Sequence, residues 1–272
     1  SFYENQKNIK LVSIDEARKR KVKLKYKPIK PNFEGINSLD EISLETIKNY
    51  IDWTPFFHAW ELKGVYPNIL DDNDKGKEAR KIFKEANKLL SKIINNGLVK
   101  AKAIFGIFKA KSQNEEVKIL DHDIKFNFPR QLLDKGPTPN FCLADFISPT
   151  ETDYIGLFAV TAGHGVEQMV SKFESDFDDY NAIMVKVLAD RLAEATAEWL
   201  HEKIRKEIWG YSKNENYSID ELNKEEFSGI RPAPGYAACP DHKEKDKIWK
   251  ILDVEKKIGV KLTESRAMFP TA

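Results

Sequence analysis

Three prolines and a glycine fall within the twelve residues Arg231-Pro-Ala-Pro-Gly-Tyr-Ala-Ala-Cys-Pro-Asp-His242. Proline supplies no amide to a hydrogen-bond ladder and its ring blocks the preceding turn, so neither a helix interior nor a central strand can run through this stretch. The segment is predicted to be a stiffened, irregular loop that any fold of this chain must accommodate. It opens on a guanidinium, carries Gly235 between Pro234 and Tyr236, and closes on Cys239, Asp241 and His242. Two readings follow from the residues alone. The loop is a connector that braces a domain edge, or it holds a small zwitterion with one fixed cation, exposed backbone amides and one aromatic ring.

The rest of the chain is long enough to build a scaffold for such a loop. With 272 residues, 41% of them apolar, it can bury the core of one large domain or two small ones. Its 44 basic and 43 acidic residues nearly cancel, which argues against the strong basic field of a nucleic-acid binder. Cys142 and Cys239 form neither a disulfide framework nor a CxxC pair, which suits a reducing cytoplasm. No apolar run reaches membrane-spanning length. The first residue is Ser rather than Met, and the chain reads as a piece of something longer.

Residues 1–38 stand apart. Ten basic side chains from Lys7 to Lys30 face only four acids. A short amphipathic piece, Ser13 to Arg20, is followed by Pro28, Pro31 and an Asn-bearing stretch, so the segment is expected to be a basic interdomain linker. Residues 39–272 are expected to form the globular domain. Ser43 caps a helix reaching about Tyr50, and Trp53, Phe56 and Phe57 cluster around Pro55. Lys75 to Ile94 has helical periodicity, with Ala79, Ile82, Phe83, Ala86, Leu89, Leu90 and Ile93 on one face, and ends at Asn96-Gly97. Lys102–Ala110 and Glu116–Leu120 read as strands of a hairpin. Cys142–Ile147 reads as a turn feeding a buried strand, and Tyr154–Thr161 as the clearest strand. The longest helix is expected from Asp178 to Trp209, stopped by Gly210, with a small one over Ile219–Leu222 and another from Lys245 to Ile258. Three or four strands separated irregularly by long helices exclude a doubly wound sheet. They point to an α+β fold with a modest antiparallel or mixed sheet.

Candidate chemistry is sparse. No GxGxxG, P-loop, GxSxG or HExxH motif occurs, and the five histidines are scattered, so neither a metal site nor a catalytic residue is assigned. Asp190, Glu194 and Glu198 recur at i, i+4, i+8 along one side of the long helix. They form either a solvated stripe offset by Lys186 and Arg191, or a set in which Glu194 faces a cleft and holds a cation. Asp52 lies between Ile51 and Trp53. It is equally suited to start a helical turn at Thr54-Pro55 and to accept from a ligand ammonium.

The segment Gly229-Ile-Arg-Pro-Ala-Pro-Gly-Tyr236, with Ala238-Cys-Pro-Asp-His242, Trp249–Glu255 and Lys261–Ser265, closely resembles the C-terminal activation domain of cobalamin-dependent methionine synthase. Tyr50–Phe57, Asn140–Phe146, Asp153–Gly156 and Asp179–Glu194 resemble the same family in the same order, so the likeness spans about Ser43 to Pro270. The resemblance implies a domain that binds S-adenosylmethionine and presents its methyl group to a cobalamin held by a neighbouring domain. There, with an electron from a flavodoxin-type partner, it restores enzyme whose cofactor has oxidised to cob(II)alamin. It implies a place in methionine biosynthesis from homocysteine and methyltetrahydrofolate.

By that likeness Asp52 holds the ligand's amino group and Arg231 pairs with its carboxylate. Ala233, Gly235 and Tyr236 frame the adenosyl part, and Glu194 and Glu225 stand close to the ligand. Family members continue beyond the Met268-Phe-Pro segment with a tyrosine-bearing stretch. Without it, binding is expected to be weaker, and the isolated domain is not expected to turn over. Two alternatives carry the same residues: an activator of another corrinoid methyltransferase, and a flavodoxin- and cobalamin-domain docking module that binds no ligand.

Overall fold

The computed structural model describes residues 10–272; the first nine residues of the basic segment lie outside the described residues. The strands are β1 (Gly35–Ile42), β2 (Lys100–Gln113), β3 (Glu116–Ile119), β4 (Ile124–Asn127), β5 (Asp153–His164) and the short pair β6 (Lys261–Leu262) and β7 (Met268–Phe269). The α-helices are α1 (Ile14–Lys19), α2 (Leu44–Ile47), α3 (Thr54–Ala59), α4 (Gly76–Asn95), α5 (Val166–Ser175), α6 (Asp179–Lys203), α7 (Ile219–Asn223), α8 (Glu244–Leu252) and α9 (Val254–Ile258). The first four strands lie in the order β1-β2-β3-β4 in a five-stranded sheet, with β5 also pairing β2, and β6–β7 form a separate ribbon. The α+β class expected from the sequence is the one observed.

The chain divides into two compact units. One contains residues up to Gly35, Gly106–Leu157 and Ile230–Ile251. Its frame is an antiparallel meander, with Ala110 opposite Ile119 and Gln113 opposite Glu116 in the first hairpin, then Glu116 opposite Asn127 in the second. Asn114 takes a left-handed φ of 55° to close the first turn, a conformation asparagine tolerates better than most residues. Val117, Ile119 and Phe126 alternate inward, as pleated strands require.

Arg130 sits at the centre of this unit. Its side chain is 1% exposed and makes a two-pronged bond to Asp145 at 2.6 and 2.7 Å, with Glu115 at 3.0 Å. The basic segment joins the same network: Ser13 caps α1, Ala17 is fully buried, and Arg18 reaches Glu115 at 2.6 Å. Arg20 bonds Asp134 at 2.9 Å, and the Tyr26 hydroxyl donates to Asp153.

The other unit contains residues 36–105, 158–229 and 252–272. Its core is helical. The inward face of α4 is Ala79, Ile82, Ala86, Leu89, Leu90 and Ile93, as the periodicity predicts, with Phe83 half-buried. The 25-residue α6 starts on Asp178, whose carboxylate accepts from the Asn181 amide at 3.0 Å, and packs against α2, α3, α4 and α5. It runs into one π-helical turn, Ile204–Ile208, before Gly210 ends it with φ 83°.

Several expectations are corrected. The turn expected at Cys142–Ile147 is a 3-10 turn over Leu143–Phe146, but no strand follows it directly and the next one begins only at Asp153. The helix expected over Lys245–Ile258 is two, because Asp253 takes a left-handed φ of 55° between α8 and α9. Ile183, which its apolar side chain and its place beside Met184 would assign to the buried side of the long helix, is 48% exposed. Helix α5 and strands β1 and β4 had no expectation. The first residue of α5 follows Gly165 at φ 98° with no capping side chain, so it lacks the usual start signal. Strand β1 buries only Ile42 and shows no inward alternation.

Candidate ligand site

The proline-rich segment is the irregular loop expected, and it belongs to the unit built on the meander. Its turn is closed by backbone. The Gly235 amide donates to the Cys239 carbonyl at 2.7 Å and the Cys239 amide to the Tyr236 carbonyl at 2.9 Å, a single antiparallel bridge between positions 236 and 239. Gly235 needs to be glycine, with φ 101° in a region that side chains rarely adopt. Tyr236 is held on this turn with 73% of its surface exposed, whereas Cys239 is buried at 2%. Burial pushes the Cys239 thiol up to about 11, with Glu244 and Asp241 adding to it, so it stays protonated and serves as packing. Arg231 is half-buried at the loop entrance, and Ala233 is exposed.

Below the turn, α8 is fixed by a buried carboxylate. Glu244, 3% exposed, accepts from Lys247 at 2.7 and 2.8 Å and from the Asn127 amide of β4 at 3.4 Å. The Lys247 ammonium lies 5.7 Å from the centre of the Phe126 ring.

Asp52, Glu194 and Glu225 belong to the helical unit. Asp52 is half-buried between the buried Ile51 and Trp53, and its Oδ1 accepts from the Thr54 amide at 2.9 Å. Trp53, not Asp52, is the N-cap of α3 and no side chain caps it, so Asp52 stands one residue ahead of the cap and bonds the first helical amide. A carboxylate has about four acceptor positions, so this bond leaves capacity for a ligand ammonium. Trp53 is pinned edge-on by Phe56 at 5.2 Å and Phe83 at 4.9 Å. The preceding turn is tied to α6 through Tyr50, whose hydroxyl donates to Glu202 at 2.6 Å. The elements on both sides of Asp52 thus pack on α6, the helix that carries Glu194.

The acidic stripe is not uniform. Asp190 and Glu194 are exposed and Glu198 is 8% exposed. Glu225 is exposed and left-handed at φ 57°, just past the end of α7, where its amide donates to the Leu222 carbonyl at 2.9 Å. That position usually favours glycine, so a glutamate there carries backbone strain.

One cluster escaped sequence reading. Arg205, with no exposed side-chain surface, bonds Glu215 at 2.8 Å and the His201 Nδ1 at 2.8 Å, and its guanidinium lies 4.0 Å from the centre of the Phe227 ring. His201 meets the same ring edge-on at 5.0 Å. In sequence, these residues look like the solvated i, i+4 pairs of an exposed helix face.

The stiff cation-bearing loop and the α+β scaffold define a domain that offers a preformed backbone turn rather than a set of catalytic acids and bases. Residues 43–272 match the family described as "Vitamin B12 dependent methionine synthase, activation domain", and the chain belongs to that family. It is thus a domain of a methyltransferase, and its partner in that enzyme is the cobalamin domain. A crystal structure described as "Crystal Structure of the MetH Reactivation Domain bound to AdoHcy" is 45% identical in sequence and has a TM-score of 0.92. The match covers 96% of this chain and 83% of that one. Among the described residues, no helix is long and apolar enough to cross a membrane.

Proposed function

We propose that this domain binds S-adenosylmethionine and presents its methyl group to the cobalamin of a neighbouring domain. The observation that carries the reading is the 231–239 loop: a guanidinium, a turn closed by its own backbone, and an exposed tyrosine on that turn. Likeness to a reactivation domain bound to AdoHcy supports it.

In this reading Arg231 pairs with the ligand carboxylate, a planar fork meeting a planar acceptor. Asp52 accepts from the ammonium through the oxygen capacity left after its bond to Thr54. Ala233, Gly235 and Tyr236 frame the adenosyl group, and Glu194 and Glu225 offset the sulfonium charge. No side chain has to move a proton, because transfer from a sulfonium is an in-line displacement governed by positioning. The cobalamin supplies the electron-accepting and methyl-accepting chemistry, with a flavodoxin-type protein as the reductant.

The test is titration calorimetry with S-adenosylmethionine. Arg231→Ala is expected to abolish measurable binding while leaving the circular dichroism spectrum unchanged. Unchanged binding in that variant would refute the assignment.

A further inference from the structure

His242 is exposed, and nothing about its burial marks it as structural. Yet its ring lies directly against the backbone of Gly235. A Cβ built on Gly235 would meet the imidazole Cε1, with Nδ1 at 2.8 Å and Nε2 at 3.0 Å. The ring is held at Nδ1, to which the Lys245 ammonium donates at 3.2 Å. Lys245 is itself set by the start of α8, where its amide donates to the His242 carbonyl at 3.1 Å and Asp241 Oδ1 accepts from the Lys243 amide at 2.8 Å. A flat ring thus occupies the space that a side chain at position 235 would take. It backs one of the two residues whose amides close the turn.

We propose that His242 is a positioning residue: its ring is a shelf that holds the Gly235–Cys239 turn in the shape that receives the adenosyl group. This rests on the reading of the loop as the S-adenosylmethionine site. The shelf does not touch the ligand; it acts through Gly235. Its removal lets the turn sample open conformations, and the ordering that returns on binding weakens the complex. A merely exposed surface histidine would show no such effect.

The experiment has two arms on the full 272-residue chain. Without ligand, amide hydrogen exchange is followed at Gly235, whose N–H is bonded to Cys239. His242→Ala is expected to speed that exchange while the melting temperature stays put, and His242→Phe, which keeps a flat ring, is expected to restore it. With ligand, His242→Ala is expected to weaken S-adenosylmethionine binding by about three- to tenfold, and His242→Phe to recover most of it. Wild-type exchange in His242→Ala, or failure of the phenylalanine to restore protection, overturns the proposal. The exchange arm uses no ligand, so it stands apart from the site assignment. If Arg231→Ala binds normally, the site reading has failed; if only the His242 variants behave as wild type, the shelf alone has failed.

Discussion

Replacing Arg205 with methionine should be among the most damaging single changes in the helical unit, and its cost follows from what surrounds the guanidinium. Arg205 has no exposed side-chain surface, and Glu215 keeps 5% of its own. The pair is joined by Nε at 3.0 Å and 3.1 Å to the two carboxylate oxygens and by Nη2 at 2.8 Å. The substitution also removes the bond to His201 and the face-on contact with Phe227. What remains is a desolvated carboxylate with its cation gone, a situation that costs about 3–5 kcal/mol. Against a typical total stability of about 5–15 kcal/mol, that is a large share.

The control is Arg205→Met combined with Glu215→Leu. It takes both charges out together and should recover most of the loss, because apolar replacement of a whole buried pair is often nearly neutral. Two compact units make a single unfolding free energy ambiguous. The loss is therefore best measured by native-state hydrogen exchange of the α6 amides, alongside urea titration. A single-variant loss below about 1 kcal/mol, or a double variant as unstable as the single, would refute the argument that unpaired burial sets the cost.

Acid should destabilise the meander unit through two carboxylates. The Arg18 hydrogen bond, with Arg130 adding to it, holds Glu115 below the ordinary glutamate range, and Arg20, the Gly136 amide and Lys10 hold Asp134 below the aspartate range. A depressed folded-state value gives stability that is complete above the ordinary carboxylate range of about pH 4 and is lost as pH falls through the lower folded value. Urea midpoints taken down a pH series should thus hold level to about pH 5 and then drop, with a shallower drop in Glu115→Gln; an unaltered slope in that variant counts against the assignment. Discrimination between S-adenosylmethionine and S-adenosylhomocysteine should be modest and salt-sensitive. Glu194 and Glu225 are exposed, and an exposed pair at about 4 Å in water is worth about 1 kcal/mol. Glu194→Gln should weaken binding of the sulfonium ligand alone in calorimetry, and an equal loss for both ligands would contradict a charge role.

Legibility followed burial. The inward face of α4 could be read residue by residue because its apolar spacing is helical and its outer face is charged. The loop at 231–242 could be read because proline and glycine act on the backbone itself, before any packing. Strand β1 could not, since it has no buried face to leave a mark in the sequence. The break at Asp253 was equally hidden: aspartate can enter the left-handed region but does not announce it. The candidate site divided along the same line. Arg231 and Gly235 stood out through their neighbours, whereas Asp52 was left between two roles because a helix-starting carboxylate and a ligand-binding one share the same residue type. Arg205 drew no reading because burial, the property that makes it unusual, is the one a run of alternating charges conceals.

Two of the buried charge clusters lie close to the loop along the chain. Upstream of the loop, within the helical unit, Phe227 is held by Arg205 and His201, and two residues later Gly229 turns at φ 110° where a Cβ would come within 2.5 Å of the Tyr211 hydroxyl. Downstream, within the meander unit, Glu244 ties α8 to Lys247 and to β4. Apolar residues would fill either place at least as favourably, since desolvating an ion pair costs about as much as its attraction returns. What an ion pair adds is direction: its hydrogen bonds fix an angle where apolar packing fixes only a volume. Ordering a free loop costs about 1–2 kcal/mol of backbone entropy per residue, enough over a few residues to erase the affinity of a small zwitterion. A loop stiffened by its own prolines and anchored by directional contacts near each end has met most of that cost in folding. That is the physical reason to place a ligand on this loop, and to look for its supports in buried charges rather than in the residues that touch the ligand.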